Sequence, residues 1–277
     1  MYIDLIKFCM NYNLKNLCEK YNCDKLDHAY IEIYEKYFAN LKNQRLNLLE
    51  IGVSDGASIK VWSDYFVNSN VVGIDIKNID IEKKSLNRKN ISIYQGSQSD
   101  KSFIDKIIGI HKNFDIIIDD GSHYPKDVIK SFDLLFPALN LNGLYFVEDL
   151  QTSYNHFFFG NAFDLKYSKT QMNFFKHLTD SLNYQEIANP LYRKKKYDSK
   201  ITNLSFYHNL VVVRKGINNK ESNIVENNSY EKKRYKQRIF VKGKRIRYFI
   251  KYLVIYRIYT IVLYIFYTLK KLILFRF

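Results

Sequence analysis

Two short acidic clusters carry the residues most suited to chemistry. Asp119-Asp120-Gly121-Ser122-His123 and Glu148-Asp149-Leu150-Gln151-Thr152 each close a short apolar run. If those runs are neighbouring strands, Asp120, Glu148 and Asp149 fall at adjacent strand ends and face one site. Three carboxylates converging there repel one another strongly unless a cation neutralises them. Oxygen ligands, with water or substrate completing the shell, suit magnesium, with manganese as a substitute. His123 follows Asp120 by three residues and can reach a hydroxyl at that metal. An alcohol hydroxyl is too weak an acid to ionise at neutral pH; a divalent cation lowers its pKa, and a neutral imidazole can then take the proton. Taken singly, each residue has a plainer reading, because a strand-end Asp often caps the next helix and a lone His is more often structural than catalytic. As a set, Asp120, His123, Glu148 and Asp149 favour the catalytic reading.

The elements that must position them follow from the apolar pattern. Short runs begin at Leu46, Val71, Ile91, Phe114 and Gly143 and end at Gly52, Asp75, Tyr94, Asp119 and Glu148, separated by helix-length segments. Strands apolar on both faces and alternating with helices predict an α/β fold, a Rossmann-like doubly wound and mostly parallel sheet. Ligands in such sheets sit at the carboxyl ends of the strands, near the point where strand order reverses. Residues 1–45 read as a helical lead-in, with apolar side chains at three- and four-residue spacings from Ala29 to Phe38. Leu204 to Val213 reads as a closing strand or hairpin. The catalytic domain is thus expected over 46–215, a polar Asn-rich linker over 216–230, and a tail over 231–277.

The first run closes in Glu50-Ile51-Gly52-Val53-Ser54-Asp55-Gly56-Ala57-Ser58, before a helix expected from Ile59 to Phe66. Glycines allow a tight turn, and a helix start suits a carboxylate ligand. Asp75 ends the second run about 20 residues on, where an acid can accept hydrogen bonds from ribose hydroxyls. A Glu opens the loop and the G-x-G-x-x-G spacing is missing, which argues against a dinucleotide.

From here the chain resembles class I methyltransferases, which use S-adenosylmethionine, and Glu50 to Ser58 resembles the matching loop of catechol-type O-methyltransferases. The resemblance implies that Gly52 lines the cofactor, Ser58 contacts its carboxylate and Glu50 organises the loop. Gly96-Ser97-Gln98 resembles the adenine-contacting segment, which places Ser97 and Gln98 near the ring; Asp119 is placed with the cofactor residues too. A closer resemblance is to bacterial sugar O-methyltransferases of macrolide and related glycan pathways. It rests on Asp120-Gly121-Ser122-His123 and Glu148-Asp149-Leu150-Gln151-Thr152-Ser153-Tyr154, and extends to Asp24-Lys25, His28, Tyr30, Tyr34 and Val61 to Phe66. It implies that Asp120, Glu148 and Asp149 bind magnesium and that His123 is the general base. Some relatives carry a cephalosporin hydroxylase label, but an iron oxygenase site wants two histidines and one carboxylate, whereas one histidine stands among acids here. Tyr154, His156 and Phe157-Phe158-Phe159-Gly160 are expected to form a substrate-side loop. The expected activity is O-methylation of a sugar hydroxyl, on a small molecule or a lipid-linked glycan. Alternatives are methylation of a phenolic or other diol, and a membrane-associated scaffold that keeps the fold without turnover.

Charge is distributed unevenly. Glu231 to Phe277 holds 14 Lys and Arg against one acid, whereas the residues before it carry 29 bases and 27 acids. A basic stretch followed by the aromatic-aliphatic run Tyr252 to Leu269 fits a helix lying on an anionic inner-leaflet surface. A dimerisation helix, making a homo-oligomer, or a disordered basic tail would use the same residues. The apolar content exceeds what phosphate binding needs, which argues against nucleic acid. Cys9, Cys18 and Cys23 form no C-x-x-C pair and read as free thiols. No secretory leader is evident at the start, and a cytoplasmic location is expected.

Overall fold

The computed structural model describes residues 13–219 apart from 83, 85, 188 and 190, and from the C-terminal stretch residues 255–259, 261, 262 and 265. The expected linker and most of the basic tail lie outside the described residues. Residues 13–184 with 194–219 belong to one compact unit; 185–193 and the described C-terminal residues belong to a second. Among the described residues no helix is long and apolar enough to cross a membrane.

The first unit begins with two short helices, α1 (Leu14–Tyr21) and α2 (Ile31–Phe38). The expected helical lead-in is thus interrupted by a turn. Asn13 caps α1 by accepting from Asn16 N at 2.8 Å, and Asn22 ends it in the left-handed region at φ 57°. The chain then alternates β1 (Asn47–Ile51), α3 (Ala57–Tyr65), β2 (Asn70–Asp75), β3 (Ile91–Gln95), α4 (Lys101–His111), β4 (Phe114–Asp119), α5 (Pro125–Leu135), β5 (Leu139–Val147), α6 (Gln171–Leu182), β6 (Ile201–Tyr207) and β7 (Leu210–Lys215). Each helix start has a visible cause where the sequence supplies one: Asp100 caps α4, proline opens α5 and Thr170 caps α6.

The strands form one seven-stranded sheet in the order β3-β2-β1-β4-β5-β7-β6. The first five are parallel, and β7 runs antiparallel to both β5 and β6. The Leu204 to Val213 segment is therefore a hairpin. Strand order reverses at the β1/β4 pair, and the sheet's hydrogen bonding continues one residue past three strand ends. Gly52 N reaches Ile74 O at 2.8 Å, Asp120 N reaches Ile51 O at 3.0 Å and Glu148 N reaches Asp119 O at 3.0 Å. Gly52, Asp120 and Glu148 thus stand level with one another.

Alternation along the strands divides the core into two layers. Leu48, Ile116, Ile118, Leu144 and Phe146 pack with the lead-in helices and α3, whereas Leu49, Ile51, Ile117, Tyr145 and Val147 pack under α4, α5 and α6. The first layer is aromatic: Tyr34, Phe38, Trp62 and Phe146 meet with ring centroids 4.9–5.7 Å apart. In the second, Phe132 touches the rings of Phe136, Tyr145, Phe174, Phe175 and Tyr197. Phe132→Ala is expected to cost about 3–5 kcal/mol by urea unfolding. A loss below about 1 kcal/mol would show that α6 does not close over this face as described.

Candidate active site at the strand ends

Period-two alternation decides which acids meet. Glu50, Asp120 and Glu148 continue the set Leu48, Ile118 and Phe146, so they point toward the lead-in, while Asp119 points toward α5. Asp119 is buried and accepts from the Ser131 hydroxyl and from Gln98 Nε2 at 3.1 Å; burial pushes its pKa up to about 6. The other end of Gln98 accepts from Ser122 N at 2.8 Å. Gln98 and Asp119, expected at the cofactor, therefore brace the turn that carries His123. Gly121 fits against this brace because a Cβ there would lie 2.1 Å from Gln98 Oε1.

That turn and the next strand end aim the reactive groups. His123 and Asp149 both have left-handed backbones, at φ 57° and 54°. His123 Nε2 lies 3.6 Å from Asp149 Oδ2 and 4.0 Å from Asp120 Oδ1. One ligand atom from each of these three residues falls within 4.8 Å of the others, and all three are partly open to solvent. Glu148 stands outside this group. It is buried, its two carboxylate oxygens accept from Lys25 Nζ at 2.9 and 3.0 Å, and Tyr34 OH also donates to Oε1.

Lys25 was not singled out by chemical reasoning on the sequence. It lies in the turn between α1 and α2, fully buried, with its ammonium 2.5 Å from Asp120 Oδ2 and 3.4 Å from Glu50 Oε1. Burial opposes its charge, but Asp120, Glu148 and Glu50 outweigh that and hold its pKa well above the usual lysine value. Tyr30 OH donates to Asp149 Oδ1 at 2.9 Å. Gln171, also missed, joins Thr152 Oγ1 at 2.6 Å to the His123 carbonyl at 3.3 Å. No periodic pattern reveals these polar contacts, since each joins residues distant in sequence.

The donor chemistry fits a divalent cation. Two part-exposed carboxylates and an imidazole converge, and the one ammonium nearby, that of Lys25, faces Glu50, Asp120 and Glu148. The loop after β1 also has the form expected of a cofactor site. Gly52, Ser54 and Gly56 take φ of 89°, 50° and 82°, so a serine adopts a conformation that favours glycine. Asp75 Oδ2 accepts from Val53 N and Ser54 N, both at 2.9 Å, and thereby holds the loop. Glu50 is buried beneath it and accepts from the Ser58 hydroxyl at 2.8 Å. Ser97 lies after β3, its hydroxyl 3.1 Å from that of Ser99. Ile76, beside Asp75 and 70% exposed, offers an apolar surface that a purine could cover.

After β5, short 3-10 turns over Leu150–Tyr154 and His156–Phe158 carry the aromatic run outward. Phe158 lies against His123 and Tyr124, with centroids 6.3 and 5.7 Å apart, while Phe157 and Phe159 are about three-quarters exposed.

Comparison with known proteins gives the family. The family model described as FtsJ-like methyltransferase matches residues 28–181. The mycinamicin VI 2''-O-methyltransferase of Micromonospora griseorubida is 34% identical over 216 residues, 74% of this chain and 53% of that protein. The 8-demethyl-8-(2-methoxy-alpha-L-rhamnosyl)-tetracenomycin-C 3'-O-methyltransferase of Streptomyces olivaceus is 33% identical over 216 residues, 74% of this chain and 54% of its own length. The chain spans about half the length of the curated relatives it matches. Among solved structures, the MycE methyltransferase of the mycinamycin pathway, in complex with Mg, SAH and mycinamycin VI, superposes with a TM-score of 0.70 at 33% identity, covering 76% of this chain and 55% of that one.

The close approach of the first loop to the turn after β4 is open to a direct check. A Cβ on Gly52 would sit 2.1 Å from the Asp120 carbonyl oxygen, on a backbone at φ 89°. Gly52→Ala is expected to lose about 1–3 kcal/mol or more in chemical denaturation; unaltered stability would contradict this contact.

Proposed function

Because the chain belongs to the FtsJ-like methyltransferase family, we propose that it methylates a sugar hydroxyl with S-adenosylmethionine at a magnesium site built on Asp120 and Asp149, with His123 as general base. The observation that carries this reading is the convergence of Asp120, His123 and Asp149 at strand ends next to the loop after β1. When bound, S-adenosylmethionine supplies the methyl group and the divalent cation lowers the pKa of a nearby hydroxyl. Asp120 and Asp149 would hold the cation at the acceptor end of the site, and His123 Nε2 would take the hydroxyl proton as the methyl group passes to the oxygen. Phe158 orients the imidazole from one side, and Gln171 fixes its backbone from the other. The Gly52 to Ser58 loop, braced by Asp75 and Glu50, carries the methionine end of the cofactor, with Ser97 and Gln98 on the adenine side. The sugar acceptor is supported by the relatives, whose names specify O-methylation of mycinamicin VI at 2'' and of a rhamnosyl-bearing tetracenomycin at 3'. The exposed aromatics of residues 154–159 offer faces on which a sugar could stack.

Calorimetry of the full chain with S-adenosylmethionine, with and without magnesium, tests the reading first. Both are expected to bind; if neither does, the chain is a scaffold that keeps the fold. His123→Ala is expected to retain cofactor binding while methyl transfer to a glycoside acceptor falls by about 10²–10⁴-fold. Undiminished transfer would remove His123 as the base.

The tail supports a second element of the proposal, a place on an anionic membrane surface facing the cytoplasm. Among its described residues, Ile255, Tyr256, Ile258, Tyr259, Ile261, Val262 and Ile265 are all exposed, and 14 bases accompany them in the stretch from Glu231. The full chain is expected to sediment with phosphatidylglycerol vesicles and to lose this on truncation after Tyr230. Equal partitioning of the two forms would exclude the tail as the anchor.

A further inference from the structure

The chain between β5 and α6 turns apolar side chains outward and its polar backbone inward. Phe157, Phe159 and Leu165 are largely exposed and Phe163 is fully so. An irregular segment this apolar would ordinarily fold its rings under; here hydrogen bonding holds them out. The amides of residues 157–161 all donate to acceptors within residues 153–156. Those of Phe163 and Asp164 both donate to Asn161 Oδ1 at 2.9 Å, Lys166 N donates to Asp164 Oδ1 at 2.9 Å, and Tyr167 N to the Asp164 carbonyl at 3.0 Å. Gly160 lets the loop turn back on its own base, since a Cβ there would lie 2.3 Å from the Thr152 carbonyl oxygen. Asn173 Nδ2 fastens the far end by donating to the carbonyls of Leu165 and Tyr167 at 2.9 and 2.8 Å. Backbone whose donors already have partners can leave water readily, whereas an unpaired amide strongly resists an apolar medium.

The surroundings give the partner's charge. Tyr124 packs on Phe158 and Phe159, with ring centroids 5.7 and 5.5 Å apart, and so joins the loop to the start of α5. Residues 124–130 and 154–169 carry Lys126, Lys130, Lys166 and Lys169, all exposed, against Asp127 and Asp164. Both acids already accept hydrogen bonds, Asp127 from the Ser122 hydroxyl and Asp164 from Lys166 N. Rings and an aliphatic tip rimmed by ammonium groups match an anionic bilayer, whose acyl region takes the apolar ends and whose phosphates take the charges. A second copy of the chain matches poorly, because a two-fold contact sets the same lysines against one another. We propose that this loop is a membrane-contact surface, with Phe157, Phe159, Phe163 and Leu165 entering the interface of an anionic bilayer. Phe158, in the same loop, lies against His123, so the contact brings the turn after β4 close to the head groups. It is distinct from any contact made by the tail, and it stands whether or not the methyl-transfer reading does.

Trp62 is the one tryptophan of the chain and is buried in the core, so Phe163→Trp in the full-length protein adds a reporter at the loop alone. With phosphatidylglycerol vesicles the added indole is expected to emit at shorter wavelength, and to be quenched when the acyl chains are brominated, while the unaltered protein shows neither change. Protein that sediments with the vesicles while the indole stays in water would overturn the proposal and leave the tail as the anchor; failure to sediment at all would overturn it as well. A shift that grows with protein concentration in the absence of vesicles, together with a dimer in analytical ultracentrifugation, would assign the surface to a second copy and overturn the bilayer contact. As an independent variant, Phe163→Ser combined with Leu165→Ser is expected to weaken partitioning onto phosphatidylglycerol vesicles by about tenfold or more. Its melting temperature and its S-adenosylmethionine binding are expected to match those of the unaltered protein, because both side chains are exposed. Undiminished partitioning of this variant would overturn the proposal. Absence of cofactor binding in the unaltered protein would remove the methyl-transfer reading, and the quenching result would still decide the surface.

Discussion

The contact on which the site depends is the buried ammonium of Lys25 among the carboxylates of Glu50, Asp120 and Glu148. Parallel strands in register bring every second residue to the same face, so Asp120 and Glu148, level at their strand ends, share a face with Glu50 two residues before the level position on β1. Carboxylates in a dry environment repel one another and resist ionisation; burial raises the pKa of Glu50 and Glu148 in this way. One ammonium with several oxygen partners opposes that rise and holds the oxygens in place. Breaking a buried pair of this kind typically costs about 3–5 kcal/mol, because the remaining charge has no water to replace its partner. The lead-in is consequently fastened to the sheet at its centre by charge, and around that centre by the rings of Tyr34, Phe38, Trp62 and Phe146.

Much of this was legible before any coordinates. The apolar runs identify the five parallel strands to within a few residues, because a strand covered on both faces has little choice but aliphatic and aromatic residues. Acids that end such runs are conspicuous for the same reason, and Asp120, His123 and Asp149 come together as their spacing implies. Strand alternation also separates Asp119 from Asp120, though reading it requires knowing which face each helix layer covers. That knowledge comes from packing, since α6 begins some twenty residues after β5 and returns to the Asp119 side of the sheet through Phe132 and Phe175.

What the pattern hides are contacts between residues far apart in the chain. Lys25 is one lysine among many in a lysine-rich chain, and nothing in its neighbourhood shows that it meets residue 148. Tyr30 and Tyr34 sit at core spacings of a helix, where an aromatic reads as packing; only the end of each ring, reaching Asp149 and Glu148, does anything else. Gln171 opens a helix after a threonine cap and would pass for ordinary helix-start chemistry. Each of these residues supports a reactive group from behind, a role set by geometry that residue type does not reveal.

The backbone adds its own constraint. His123 and Asp149 both occupy the left-handed region, which costs a non-glycine residue on the order of 1–3 kcal/mol and persists only where surrounding contacts impose it. Here those contacts are identifiable. Gln98 and Gln171 grip the two sides of the His123 turn, while Tyr30 and Thr152 grip Asp149 through its side chain and its carbonyl. A relaxed backbone at either position would swing the imidazole or the carboxylate out of the 3.6 Å approach that brings them together. The strain is therefore the means by which two loops leaving separate strands direct their side chains into the same small volume. The fixed sheet registers supply the common origin from which both loops start.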